Sequence, residues 1–253
     1  MSQATNFSLN LSALPSSEQR TQCHFISNTH WDREWRYSAQ RTRYMLVSML
    51  DMLFDIFEKE PDFHSFHMDS QTLPIQDYLE ARPEKEALVR KYINEGKLIV
   101  GPWFCLPDEF LVSGESLIRN LLLGHKIGRK YGQVAKTGYA PFSWGQISQM
   151  PQLYQGFGID VTSFYRGINP LVAPQSEYIW EGADGTQIIA SRLSLRPRYN
   201  VWYIIQRPVY WNEQDENNRL MSWQRGHGPF RFVNLENADL DYQYAHPAFL
   251  YNE

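Results

Sequence analysis

The stretch Cys23-His24-Phe25-Ile26-Ser27-Asn28-Thr29-His30-Trp31-Asp32-Arg33-Glu34-Trp35 reads as a strand that ends in a group of chemically active side chains. In an extended segment the side chains at i and i+2 share a face, so His30 and Asp32 bring an imidazole and a carboxylate to one point. The indole of Trp35 follows three residues on. These are zinc-ligand types beside a flat apolar surface on which a sugar ring can stack. The pair is half a metal site, because zinc usually takes at least three protein ligands. The same spacing also suits a strand-end histidine followed by a solvated or capping aspartate.

Outward from this stretch, short apolar runs alternate with helical patterns, the rhythm of βα units and a mainly parallel sheet. Leu46, Met49, Leu50, Leu53, Phe54 and Phe57 recur at helical spacing and predict a helix from about Ala39 to Glu60, stopped by Pro61. A strand is expected over Phe63–Asp69, a helix over Leu73–Asn94, and a strand over Lys97–Trp103, closed by Gly101-Pro102. Ser113 is a good N-cap for a helix whose buried stripe is Leu117, Ile118, Leu121 and Leu122, running to about Tyr131. Then come a strand over Lys136–Pro141, a short helix over Gln146–Gln155 ending at Gly156, and a strand over Val161–Arg166. Glu177–Glu181 and Thr186–Leu193 read as a β-hairpin, since Asp184-Gly185 supplies the positive φ of a tight turn. The tail end is different: twelve aromatics between Tyr199 and Tyr251 follow no sustained period, which predicts loop and short helix that line a cleft or need a cover.

The 253 residues suit one large α/β domain, and a single barrel is within that range. A hydrophobic content of 43% with 15% aromatics indicates a folded chain, and a net charge of -4 gives no reason to expect a nucleic-acid partner. Eight Trp and fifteen Tyr raise a carbohydrate reading modestly, because exposed rings stack on sugars as readily as buried ones fill cores. Cys23 and Cys105 form no CxxC pair and no disulfide framework, which suits a reducing compartment. Residues 1–22 are polar and lack the basic start and apolar run of a signal peptide, and no apolar stretch is long enough to span a bilayer. The expectation is a cytoplasmic chain with a flexible tail over 1–22, a domain over 23–253, and no membrane partner.

Parallel barrels gather their sites at strand C-terminal ends. The expected strands place His30 with Asp32, Asp69, Asp108 with Glu109, the turn Pro141-Phe142-Ser143-Trp144, and Arg166 at successive ends. Any one of these carboxylates also suits a cap or a surface ion pair, but five polar clusters in a row point to a site on one rim.

The motifs His30-Trp31-Asp32-Arg33-Glu34-Trp35, Gly101-Pro102-Trp103, Pro107-Asp108-Glu109-Phe110, Ser113-Gly114-Glu115-Ser116-Leu117-Ile118-Arg119-Asn120 and Tyr165-Arg166-Gly167, in this order, resemble glycoside hydrolase family 38. The resemblance runs from about Cys23 to at least Leu193 and implies an irregular (β/α) barrel, here incomplete, of the kind found in retaining α-mannosidases. It implies a zinc ion with His30 and Asp32 as its first two ligands, Trp35 as the aromatic wall under the sugar, and Arg166 as the arginine that contacts nucleophile and substrate. Asp108 is a further candidate for substrate binding. The mechanism so implied is double displacement by two carboxyl groups, with zinc orienting and polarising the sugar hydroxyls.

In Gly138-Tyr139-Ala140-Pro141-Phe142-Ser143-Trp144-Gly145-Gln146 the family pattern has aspartate where this chain has Phe142, which can be neither nucleophile nor metal ligand. The resemblance also sets the acid/base aspartate, the fourth zinc ligand and the β-rich C-terminal domains further along than Glu253. Three readings follow. The chain is expected to be a fragment with weak or no activity alone, partnered by the remainder of the same protein. Alternatively, another carboxylate (Asp69, Asp108 or Glu109) replaces the missing nucleophile, or the barrel binds sugar without cleaving it. A fourth possibility is a metal-dependent sugar deacetylase, which would draw further ligands from His64, His67, His125, His227 or His246. None of these has a paired spacing, and His67 and His125 read as structural or solvated.

Overall fold

The computed structural model describes residues 26–141, 143–164, 167–168 and 177–192. The tail expected over 1–22, Phe142, Arg166 and the aromatic segment 199–253 lie outside the described residues.

The chain is α/β with mostly parallel strands. In order come α1 (Ala39–Lys59), β1 (Phe66–His67), α2 (Leu73–Ala81), a 3-10 turn (Pro83–Lys85), α3 (Glu86–Asn94), β2 (Leu98–Ile99), α4 (Gly114–Tyr131), β3 (Gly138–Tyr139), α5 (Met150–Gly156), β4 (Val161–Phe164), β5 (Glu177–Glu181) and β6 (Gln187–Arg192). Asn28 bridges His67 in parallel, and β1 pairs with β2 in the register Phe66 to Leu98. The Ala135 amide donates to the Val100 carbonyl (2.9 Å), leading into the second sheet, whose order is β3-β4-β6-β5. Only β5 runs antiparallel to its neighbour. Among the described residues these strands form two sheets and no closed barrel. The hairpin closes as expected: Asp184 Oδ1 accepts from the Thr186 amide (3.1 Å) and Gly185 takes φ +84°.

The helices bury the stripes their sequences carry. Leu46, Leu50, Leu53, Phe54 and Phe57 of α1 pack with Met68, Ile75, Tyr78, Tyr92 and Leu98 in one core cluster. Leu117 and Leu121 of α4 join Trp103, Tyr154, Phe164 and Trp180 in a second. The Ser113 hydroxyl accepts from the Ser116 amide at 3.2 Å, the N-cap bond its position predicts. Further along α4, Asn120 acts on the neighbouring loop: its Oδ1 accepts from the amides of Phe104 (2.8 Å) and Cys105 (3.2 Å), while its Nδ2 donates to the Cys105 carbonyl (2.7 Å). The side-chain amide thus stands in for a strand partner and fixes the exit of β2.

Several expectations need correction. The helix expected over 73–94 is broken into two, because a residue before proline is pushed out of the α region, and Arg82 before Pro83 takes φ -133°, ψ 61°. The strands expected over 63–69, 97–103 and 136–141 shrink to two paired residues each, and the helix expected from Gln146 starts at Met150. The freed residues become the loops from which the site is built. No helix among the described residues is long and apolar enough to cross a membrane.

Candidate sugar and metal site

His30 stands between two carboxylates. Its Nδ1 lies 2.6 Å from Asp69 Oδ2 and its Nε2 lies 3.0 Å from Asp32 Oδ1. Burial disfavours the charged ring, but the hydrogen bonds and charges of Asp32 and Asp69 outweigh it and raise the imidazole to about 9. Asp69 is likewise pushed upward from a free carboxylate, by its own burial at 1% exposure. Its Oδ2 also receives the Trp31 amide (3.3 Å) and Gln71 Nε2 (3.2 Å), and Gln71 ties back to the Trp31 carbonyl (3.1 Å).

The backbone at this point is left-handed at two consecutive non-glycine residues, Asp69 (φ 52°) and Ser70 (φ 60°). Each such residue costs on the order of 1–3 kcal/mol and persists where its surroundings over-determine it. The bonds to Asp69 supply that restraint, and the turn aims its carboxylate back at His30. Spacing gave Asp69 only as a strand-end carboxylate. The one local signal was that aspartate tolerates this backbone region better than most residues.

The metal fit can be judged from the donors themselves. Two ligands on one zinc, at bond lengths of about 2.0–2.2 Å in a tetrahedral arrangement, stand roughly 3.3 Å apart, close to the separation of His30 Nε2 and Asp32 Oδ1. A carboxylate on the other ring nitrogen is the usual partner of a metal-bound histidine, and Asp69 occupies that place. The described residues contain no group of three or more His, Cys, Asp and Glu able to hold a metal. The chain thus presents two donors and their support, and a zinc ion held here would need further donors from outside the described residues.

Arg33 anchors this loop. Its Nε and Nη2 reach the two oxygens of buried Asp77 on α2 (2.7 and 3.3 Å), and Arg43 of α1 meets the same carboxylate at 3.0 Å. Trp35 is 66% exposed, with the Arg36 guanidinium 4.7 Å over its ring. An open indole face is what a stacking wall needs. Two of the histidines considered for a deacetylase are committed elsewhere: His67 is held neutral by burial, at about 4, with its ring edge-on to Tyr139 at 5.6 Å. His125 Nδ1 pairs with the Leu121 carbonyl (2.9 Å) and its Nε2 lies 3.2 Å from Lys136 Nζ. His227 and His246 lie outside the described residues.

Of the three carboxylates weighed as a replacement nucleophile, Asp69 and Glu109 are 1% and 2% exposed, and Asp108 alone is half-buried. Glu109 accepts the Ile147 amide on Oε2 (2.9 Å), while Oε1 is buried without a hydrogen-bond partner among the described residues. Burial, helped by the nearby charge of Asp108 and opposed by the Ile147 amide, raises its carboxyl from 4.5 to about 8.

A pH prediction follows from that value. Folded Glu109 keeps its proton up to about 8, whereas the unfolded chain gives it up near 4.5, so its contribution to stability is intact below 4.5 and is lost as pH rises through 8. Relative to wild type, Glu109→Gln is therefore expected to gain stability steadily between pH 5 and 8, by up to roughly 5 kcal/mol. Urea unfolding of both chains across this range checks it; a difference that does not change with pH contradicts it.

Comparison with known proteins identifies the family. Residues 20–225 match the family described as "Glycosyl hydrolases family 38 N-terminal domain". Over 183 residues the chain is 45% identical to a protein of Halalkalibacterium halodurans named "Putative mannosylglycerate hydrolase", an alignment covering 68% of this chain and 20% of that protein. It is 29% identical over 178 residues to the α-mannosidase of Saccharomyces cerevisiae, covering 68% of this chain and 16% of the relative. A crystal structure of an α-mannosidase from Enterococcus faecalis superimposes with a TM-score of 0.65 at 33% identity, covering 81% of this chain and 22% of that one. The chain thus spans about a fifth of the length of these relatives. With its motifs, its parallel α/β arrangement and this match over most of its length, the chain belongs to glycosyl hydrolase family 38, in the N-terminal domain of that family.

Proposed function

We propose that this chain forms the sugar-recognising rim of an α-mannosidase-type glycoside hydrolase, with weak or no hydrolysis of its own. The observation that carries the reading is the His30 imidazole held between Asp32 and a buried, backbone-strained Asp69, on a loop that ends in the open indole of Trp35. A zinc ion bound by His30 and Asp32 would orient and polarise vicinal sugar hydroxyls. Asp69 keeps the ring of His30 aimed, Trp35 stacks under the sugar, and Asp108 and Arg166 contact its hydroxyls. The weak activity follows from Phe142, a side chain that cannot attack an anomeric carbon. The two cysteines without a disulfide framework favour the cytoplasm.

The 45% identity to a relative named for mannosylglycerate favours a small mannoside with a carboxylate on its aglycone over other α-mannosides. Calorimetric titration of mannosylglycerate and methyl α-mannoside, with zinc present, is expected to show binding of both with mannosylglycerate the tighter ligand, and hydrolysis of an aryl α-mannoside is expected to stay at background. Absence of binding would sink the recognition reading. Zinc-dependent turnover abolished by His30→Ala would sink the claim of inactivity.

A further inference from the structure

Three loops at the strand ends interlock around one buried carboxyl group. Glu109, in the loop after β2, accepts the Ile147 amide on Oε2 at 2.9 Å and donates its own amide to Ser143 Oγ at 3.3 Å. Ser143 in turn donates its hydroxyl to the Gly145 carbonyl at 2.5 Å, closing the turn after β3 upon itself. The ring of Phe110, next to Glu109, lies so close over Gly145 that a Cβ there would sit 2.2 Å from Phe110 Cε2. From the loop after β4, the Gly167 carbonyl accepts the Gln146 amide at 3.3 Å. Asp108, position 142 and Arg166, all expected on the rim, are the immediate chain neighbours of Glu109, Ser143 and Gly167.

We propose that Glu109 is a positioning residue, which holds the 143–147 turn in register with the loop that carries Asp108; this rests on the reading of the rim as a sugar site. Glu109 does not touch substrate itself, since it is 2% exposed and one oxygen is already taken by Ile147. An apolar residue of its size would fill the same space but leave the Ile147 amide without its acceptor, which is why a carboxyl stands in a place that burial makes unfavourable. Its largely neutral state near pH 7 lets it sit there without a counter-charge.

The test compares Glu109→Gln with Glu109→Ala, reading hydrogen exchange at the Ile147 amide and calorimetric binding of methyl α-mannoside with zinc present. In Glu109→Ala, exchange is expected to be at least about tenfold faster and mannoside binding at least about tenfold weaker, the scale of one lost buried hydrogen bond. Glu109→Gln, whose amide oxygen accepts from the same N–H, is expected to keep both within about threefold; this rescue separates positioning from mere filling of space. Should Glu109→Ala not fold, Ser143→Ala cuts the second tie alone and is expected to weaken mannoside binding while Ile147 stays protected. Wild-type binding by a folded Glu109→Ala, or a loss in Glu109→Gln equal to that in Glu109→Ala, overturns the proposal. If wild type binds no mannoside, the sugar-site reading fails, while the exchange comparison still decides whether Glu109 clamps the turn.

Discussion

Gly124→Ala is expected to destabilise the chain severely. On α4, a Cβ at position 124 would sit 2.1 Å from the Pro102 carbonyl oxygen, 2.4 Å from the Trp103 carbonyl carbon and 2.6 Å from the Phe104 amide nitrogen. These are backbone atoms, so no rotamer change relieves the overlap. The helix or the 102–104 segment must move bodily. That segment cannot move alone: Thr72 donates its amide to the Trp103 carbonyl (3.0 Å), Trp103 donates to the Ser70 carbonyl (3.0 Å), and Asn120 holds Phe104 and Cys105. Overpacking of a well-packed core usually costs about 1–3 kcal/mol, and a clash with fixed backbone belongs at or above the top of that range. A small domain holds only about 5–15 kcal/mol in total. Loss of the cooperative thermal transition, or a fall in its midpoint by ten degrees or more, is the expected reading. A variant that melts like wild type would show that α4 does not approach the 102–104 backbone this closely.

The second large effect concerns zinc. The chain with Phe142 is expected to hold much less than one zinc per chain after dialysis against trace metal, because His30 and Asp32 are two donors where a closed site needs four or a catalytic one three. Phe142→Asp restores the carboxylate of the family pattern and is expected to tighten zinc binding by about a hundredfold or more, since outer-shell partners alone are worth about 10–100-fold and a direct ligand exceeds them. His30→Ala and Asp32→Ala, each made in the Phe142→Asp chain, are expected to abolish the gain. Competition against a chromophoric chelator measures all four proteins. One tightly held zinc in wild type would mean that other residues complete the pocket despite Phe142. No gain in Phe142→Asp would mean that this position does not face the pair.

Legibility in the sequence followed the range of the interactions concerned. The stripe Leu46, Leu50, Leu53, Phe54 and Phe57 bounded α1 to within a residue, because a helix stripe is a local pattern read against one core. Ser113 capped α4, and Asp184-Gly185 turned the hairpin, for equally local reasons. The break at Pro83 was also written locally, in the steric effect of proline on Arg82, although the apolar pattern ran straight through it. His30 and Asp32 were read as a pair from a two-residue period, and the structure does bring them together.

The other half of that arrangement was not legible. Asp69 joins His30 from 39 residues away, and whether a carboxylate at a strand end caps, dissolves or turns inward depends on a left-handed turn that no periodicity records. Glu109 reads in the sequence as a rim carboxylate or a surface ion pair, and nothing local marks Asp77 as buried. They are buried because Ile147 and Arg33, 38 and 44 residues distant, arrive with the amide and the guanidinium that make burial tolerable. Local steric and hydrophobic patterns therefore set the elements, their order and the family of this chain, whereas the protonation and aim of its carboxylates came from long-range packing, since the energy of a buried charge is fixed by the groups that other loops bring to it.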